Sequence, residues 1–173
     1  MSFRREFLVV SLSAVVCLLV ACSSTPPPAP PPLPAPVVTA MPARSAALAA
    51  MGFEKTDEGF VLNLPGPLLF DTGSDVLSVS AKAMLAKLAA DLRLLEISTL
   101  RLFGHTDNVG SAEFNLNLSA KRAEAVAQAM MGEGFASARI ERRGLGFDRP
   151  LAANDTPEGR AKNRRVAVIV PFE

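Results

Sequence analysis

Asp107 and Arg122 are the two residues of this chain whose types and spacing best support a shared chemistry. Asp107 closes the stretch Gly104-His105-Thr106-Asp107, and the segment that follows carries Asn115, Ser119 and Arg122 at i, i+4 and i+7. On a helix that spacing forms one stripe. A carboxylate at a strand end and a guanidinium on the next helix then converge on one mouth, close to the positive end of that helix. Such a pair suits a zwitterion, the carboxylate accepting from an ammonium while the guanidinium holds a carboxylate in a two-pronged grip. The same placement also permits an internal use, in which Asp107 caps the helix and pairs with Arg122. Geometry alone leaves both readings open.

A second chemistry is spelled by Phe70-Asp71-Thr72-Gly73-Ser74, within PLLFDTGSDVL at 67–77. This is the active-site sequence of aspartic proteases, which work with two carboxylates sharing one proton. The turn occurs once in this sequence, so a protease would need a symmetric pair of all-β subunits. A long helix is expected after Asp71 instead, and Pro65-Gly66-Pro67 before it is a poor partner for a central strand. Asp71 and Ser74 are expected at a helix entrance, capping its free N–H groups, with Gly73 permitting the turn. His105 is the single histidine, without a nucleophile turn beside it or enough companions for a histidine metal centre. It is expected to end a strand. The stretch DNVGSAEFN lacks the alternating oxygen ligands of a calcium loop. No catalytic residue, metal or cofactor is expected.

These residues need elements to hold them. GFEKTDEGFVLNL reads as a hairpin, with a strand near Phe53–Thr56, a turn at Asp57-Glu58-Gly59 and a strand Phe60–Leu64, and a short helix is expected before it at Ser45–Met51. From Val79 to Leu95, apolar residues at 81, 84, 85, 88, 92 and 95 follow helical spacing. STLRLFGH, 98–105, is a strand with Leu100 and Leu102 on one face. A second amphipathic helix begins at Ser111, with Phe114, Leu118, Ala125 and Ala129 expected inward and Gly132 or Gly134 as its stop. ARIERRGLG gives another strand, a short helix falls around Thr156–Ala161, and RRVAVIVPF closes as an apolar strand. Strands alternating with helices predict an α/β sandwich with the helices on one side of a small sheet.

The formal charge of +1 over 173 residues offers no long-range pull toward nucleic acid, and the absence of Trp and Tyr removes the usual stacking platforms. No nucleic-acid partner is expected. At the start, Arg4 and Arg5 precede an apolar run from Phe7 to Val20, the layout of a secretory signal peptide over 1–21. Leu19-Val20-Ala21-Cys22 resembles a bacterial lipobox, which implies lipidation of Cys22; a plain membrane anchor is the alternative. Ser23, in place of an Asp after the cysteine, fits the outer membrane as destination. Cys17 lies in the discarded segment, so no disulfide is expected. Within a linker over 22–44, the stretch from Thr25 to Pro42 is dense in proline and almost free of charge, and a polyproline II tether of that length reaches on the order of 50 Å. The expected organisation is signal peptide, tether, a helix and hairpin extension over 45–66, and a domain over 67–173.

The block 104–130 carries a resemblance. Gly104-His105-Thr106-Asp107, Gly110, Asn115, Leu118-Ser119, Arg122-Ala123 and Val126 are followed in order by GLGFDRP (144–150) and GRAKNRRVAV (159–168). Together these resemble the peptidoglycan-binding domain at the C-terminus of OmpA, in the peptidoglycan-associated lipoprotein and in flagellar MotB, over Leu69 to Phe172. The resemblance implies a βαβαββ fold with a mixed sheet, and no enzymatic activity. It also implies a ligand, the diaminopimelate of the peptidoglycan stem peptide, whose side-chain end carries an amine and a carboxylate. The positions matching Asp107 and Arg122 bind those groups in the family, and those matching Phe70, Asp71, Thr106, Asn115 and Leu118 line or support the pocket. Phe114 departs from the Tyr common there. Arg164 and Arg165 are expected at a solvated edge or against a wall phosphate. The implied role is an outer-membrane tether to the cell wall, facing the periplasm. The lead-in from Met51 to Leu77 resembles a YfiB-like subgroup of signalling lipoproteins that sequester a periplasmic regulator of cyclic-di-GMP synthesis, which gives a protein partner as the alternative.

Overall fold

The computed structural model describes residues 40–71 and 73–172, so the expected signal peptide, Cys22 and most of the expected tether lie outside the described residues. The elements run α1 (Ala40–Ala50), β1 (Glu54–Thr56), β2 (Gly59–Pro65), the single turn α2 (Gly66–Leu69), α3 (Val79–Leu94), β3 (Leu100–His105), α4 (Ala112–Gly132), β4 (Ile140–Gly144), α5 (Pro157–Asn163) and β5 (Arg165–Val170). The helix expected at Ser45–Met51 begins earlier, at Ala40, and takes in the end of the tether. Pro42 is tolerated there because the first-turn N–H groups have no partner within the helix.

The last strand in sequence is the middle one in space: the sheet order is β1-β2-β5-β3-β4, with β3 and β4 parallel and the other neighbours antiparallel. Alternation along β5 explains its apolar run. Val166, Val168 and Val170 join the core with Leu100 and Leu102 of β3, while Ala167 and Ile169 face a shallow groove on the other side of the sheet. Both faces of β5 are buried, which calls for a near-continuous apolar strand. Pro65 fits at the end of β2 because β1 covers only Gly59–Val61, so no strand awaits the missing N–H.

The helices form the second layer. α3 buries Ala81, Leu85, Leu88, Ala89 and Leu92, and α4 buries Val126, Ala127 and Met130 against the same core. Full burial of a Leu- or Val-sized group contributes roughly 1.5–3 kcal/mol. α3 begins later than the DTGS sequence implied: its cap is Ser78, whose Oγ accepts from Ala81 N at 3.1 Å, and Ser74 Oγ accepts from Val76 N within the preceding loop. Asp71 and Ser74 therefore shape a turn and do not cap the helix. Gly73, at φ +73°, takes the left-handed conformation that turn requires. Among the described residues no helix is long and apolar enough to cross a membrane.

α4 is held at backbone distance from the sheet. Gly104 and Gly144 are register partners on β3 and β4, and a β-carbon at Gly104 would lie 2.0 Å from the Ser119 carbonyl oxygen. One at Gly144 would lie 2.4 Å from Ala120 N. This contact sets the rotation of α4, and it corrects the expected inward stripe at Phe114, which is 55% exposed. Ala125 and Ala129 are half-buried and pack against the core as expected, half-buried Leu118 lines a cavity, and Asn115, Ser119, Arg122, Ala123, Val126, Ala127 and Met130 are buried.

Candidate functional site

A cavity of about 530 Å³ opens where the loop after β3 and the first turns of α4 meet α2, the loop after it and the end of α5. All seven residues expected at a site, Phe70, Asp71, Thr106, Asp107, Asn115, Leu118 and Arg122, line it. The expectation that a strand-end carboxylate and a helix guanidinium share one mouth holds as geometry.

Each polar group has a local reason for its place. Thr106 N donates to Gly146 O at 2.8 Å, which docks the segment after β3 against the loop after β4. Ser119 Oγ accepts from Gly146 N at 2.9 Å and donates to Leu116 O, so the same loop is tied to α4. Ser111 caps α4 by accepting from Phe114 N at 3.1 Å. Asn115 donates Nδ2 to Val109 O at 2.8 Å and to Ser111 O at 3.2 Å, fixing the turn between Asp107 and the helix. Asp107 Oδ1 accepts from Val109 N at 3.1 Å in that turn. Among the described residues Thr106 Oγ1 is buried and has no hydrogen-bond partner, which leaves a hydroxyl on the cavity wall still to be satisfied.

Neither internal use foreseen for Asp107 is realised. Ser111 provides the helix cap, and among the described residues the ion-pair partner of Asp107 is Arg164, whose Nη1 lies 2.7 Å from Oδ2. Arg122 turns its Nε to Ser74 O at 2.9 Å and lays its guanidinium over the Phe70 ring, 5.2 Å from the centroid. Phe70 is itself fixed by a bridge to Leu77 and a bond from its N–H to Gly66 O. Burial lowers the Arg122 pKa, and Arg164 nearby adds to this, while Asp107 and Asp75 pull it back up. The guanidinium stays charged, as arginine does in proteins.

Arg164 and Arg165 correct a further expectation. Successive residues at a strand entrance point to opposite faces. Arg164 enters the cavity wall, and Arg165 goes to the helix-free face, buried, donating Nε to Asn63 Oδ1, Nη1 to Asn163 O and Nη2 to Arg149 O. Arg165 is therefore not at a solvated edge, while the Arg164 side chain stays 34% exposed. Arg160, one helical turn before Arg164, also lines the cavity and was not foreseen. Its support is Asn163, fully buried, which accepts from Leu151 N and Ala152 N and donates to Ala152 O and Asn154 Oδ1. The i, i+4 spacing of Arg160 and Arg164 was the signal available for this pair.

His105 ends β3 as expected, buried on the helix-free face and paired in register with Arg165. Its pKa falls to about 4, chiefly through burial and then through Arg165 and Arg149, so it is neutral at pH 7. It does not line the cavity that holds Asp107.

Comparisons with known proteins agree on this region. The model of the OmpA family matches residues 69–164. The outer-membrane lipoprotein YfiB of Pseudomonas aeruginosa is 39% identical over 169 residues, covering 97% of this chain and 95% of the relative. The structure of the cell wall anchor of the type VI secretion system from Pseudomonas aeruginosa superposes with a TM-score of 0.63 at 27% identity, covering 75% of this chain and 94% of that one. The peptidoglycan-associated lipoprotein of Burkholderia pseudomallei gives a TM-score of 0.53 at 32% identity, covering 59% of this chain and 86% of that one. With the family match spanning the Phe-Asp loop, Asp107, α4 and Arg164, this chain belongs to the OmpA family.

Proposed function

We propose that this protein is an outer-membrane lipoprotein, anchored through lipid on Cys22 and facing the periplasm, that holds peptidoglycan non-covalently by the diaminopimelate of its stem peptide. The observation that carries this is the joint presence of Asp107 and Arg122 on one cavity of about 530 Å³, a size that suits a small ligand. Asp107 receives the ammonium and Arg122, with both Nη groups clear of its bond to Ser74, receives the carboxylate. Phe70, Asp71, Thr106, Asn115 and Leu118 line or support that grip. The site binds its ligand and leaves it chemically unchanged. The similarity to a cell wall anchor and to a peptidoglycan-associated lipoprotein supports this reading. The test is co-sedimentation with purified sacculi. Asp107→Ala and Arg122→Ala, each shown to be folded by circular dichroism, are expected to stay in the supernatant; pelleting of both like the wild type would overturn the proposal.

One observation favours a second reading, a signalling lipoprotein that captures a periplasmic regulator of cyclic-di-GMP synthesis. The likeness to YfiB covers nearly the whole sequence, including α1 and the β1–β2 hairpin, which precede the span matched by the family model. Deleting the hairpin would not test this cleanly, because β2 pairs with β5 inside the sheet. Charge reversal of exposed Lys55 and Asp57 leaves the core alone. A periplasmic protein retained from envelope extract by the wild type and lost by the reversed variant supports signalling, and retention of none argues for the tether alone.

A further inference from the structure

The helix-free face of the sheet carries chemistry that the Asp107 cavity does not use. The groove there has a volume of about 470 Å³. Val61, Phe103, Ala167 and Ile169 give it an apolar floor, and the register pair Arg165 and His105 stands at one end of that floor. Arg165 is buried, and its bonds go to neutral acceptors: Asn63 Oδ1 at 3.1 Å, Asn163 O at 3.3 Å and Arg149 O at 3.1 Å. Further N–H groups on both Nη atoms remain unpaired. Burial alone lowers its pKa to about 10, and no acid pulls it back up. Elsewhere on this face Arg101 and Arg143 are both held by Glu141, at 3.2 and 2.8 Å, and Arg149 leans on Glu58 at 3.4 Å. Among the described residues, Arg165 is the guanidinium of this face without an acid of its own.

His105 adds a second donor. Its Nδ1 is buried without a partner. An unpaired buried N–H costs more than an unpaired ring lone pair, so the proton of the neutral ring belongs on Nε2, which has no acceptor among the described residues. Glu54, Asp57 and Glu58 also border the groove, exposed, on β1 and the turn after it. They stand off from the floor, since β2 separates β1 from β5 and the charges that act on His105 are those of Arg165 and Arg149. A buried cation with unpaired N–H groups gains most from an anion, and the floor beside it gains from apolar carbon. We propose that this groove is a second binding site, for a small ligand with one carboxylate and an apolar body. The carboxylate sits on Arg165 and His105 Nε2, and the body lies along Val61, Ala167 and Ile169.

Three probes separate the two halves of this ligand. Hexanoate joins a carboxylate to a short apolar chain, hexanamide keeps the chain without the charge, and inorganic phosphate keeps the charge without the chain. His105 is the single histidine of the sequence, so in the untagged wild type its ring gives one unambiguous set of NMR signals. At pH 7 hexanoate is expected to move those signals saturably, with a Kd about tenfold below that of hexanamide, one charge-assisted contact. Phosphate should bind more weakly than hexanoate, and nuclear Overhauser contacts should link the hexanoate methylenes to the methyls of Val61, Ala167 and Ile169. Arg165→Gln should abolish the preference for hexanoate over hexanamide. Unmoved His105 signals, equal affinity for hexanoate and hexanamide, or phosphate bound as tightly as hexanoate would each overturn the proposal. Contacts to Phe70 and Leu118 instead would put the probe in the Asp107 cavity and overturn it as well. A preference that survives in Arg165→Gln overturns the assignment to Arg165. The comparisons on the wild type need no variant, so a misfolded Arg165→Gln leaves the proposal open to refutation.

Discussion

Arg164 Nη1 donates to Asp107 Oδ2 at 2.7 Å, joining the residue after α5 to the residue after Thr106 across the cavity. The Asp107 side chain is 13% exposed and that of Arg164 34%, so the pair lies between a surface bridge, worth about 1 kcal/mol or less, and a buried one, whose disruption costs about 3–5 kcal/mol. Arg164→Ala is expected to lower stability by about 1–2 kcal/mol in urea unfolding. If Arg164 only restrains Asp107, a ligand ammonium can take its place, and sacculus binding should survive in this variant. Loss as complete as in Asp107→Ala would put Arg164 on the ligand itself.

Gly104 has no room for a methyl group. Its β-carbon would sit 2.0 Å from the Ser119 carbonyl oxygen, a backbone atom that cannot swing away. Gly104→Ala must push α4 off β3, at the upper end of overpacking costs, about 3 kcal/mol. Because Asn115 and Arg122 ride on α4, sacculus binding should fall with stability. Unchanged urea unfolding would show that the helix shifts without cost.

These two contacts also show what the sequence could and could not disclose. The strand 98–105 and the carboxylate at its exit were legible because alternation fixes Leu100 and Leu102 inward and the motif marks Asp107. The rotation of α4 was not. Periodicity places apolar residues inside and so turned Phe114 inward; the structure exposes it and buries Asn115, Ser119 and Arg122. Their burial is made possible by partners far off in sequence, Gly146 N and Ser74 O, and by two glycines on different strands. Arg160 and Arg164 escaped for the same reason: a charged pair near the end of a sequence reads as solvent-facing until the fold closes it over Asp107.

His105 gives the fold a pH dependence. Its pKa of about 4 lies below the 6.5 of an exposed imidazole, because burial and then Arg165 and Arg149 oppose the charge. The unfolded protein therefore takes up a proton before the folded one does. The associated stability is fully present above pH 6.5 and is lost as pH falls toward 4. Between pH 7 and pH 5 the expected loss is about 2 kcal/mol. Urea midpoints across that range should decline in the wild type and much less in His105→Asn; parallel declines in the two would clear His105 of the effect.

Arg122→Lys separates charge from shape at the cavity. The ammonium keeps the positive charge but lacks the Nε that donates to Ser74 O and the flat face that lies over Phe70. The Ser74 carbonyl loses its side-chain donor, and a compact, strongly hydrated charge must sit where Arg122 is only 4% exposed. A stability loss of about 2 kcal/mol is expected. Its signature should be local, since Arg122 ties α4 to the loop before α3: amide exchange at residues 73–76 should speed up more than in the sheet. If charge alone held the ligand, Arg122→Lys would pellet with sacculi like the wild type. The planar grip argued here predicts that it stays in the supernatant even where circular dichroism shows an intact fold.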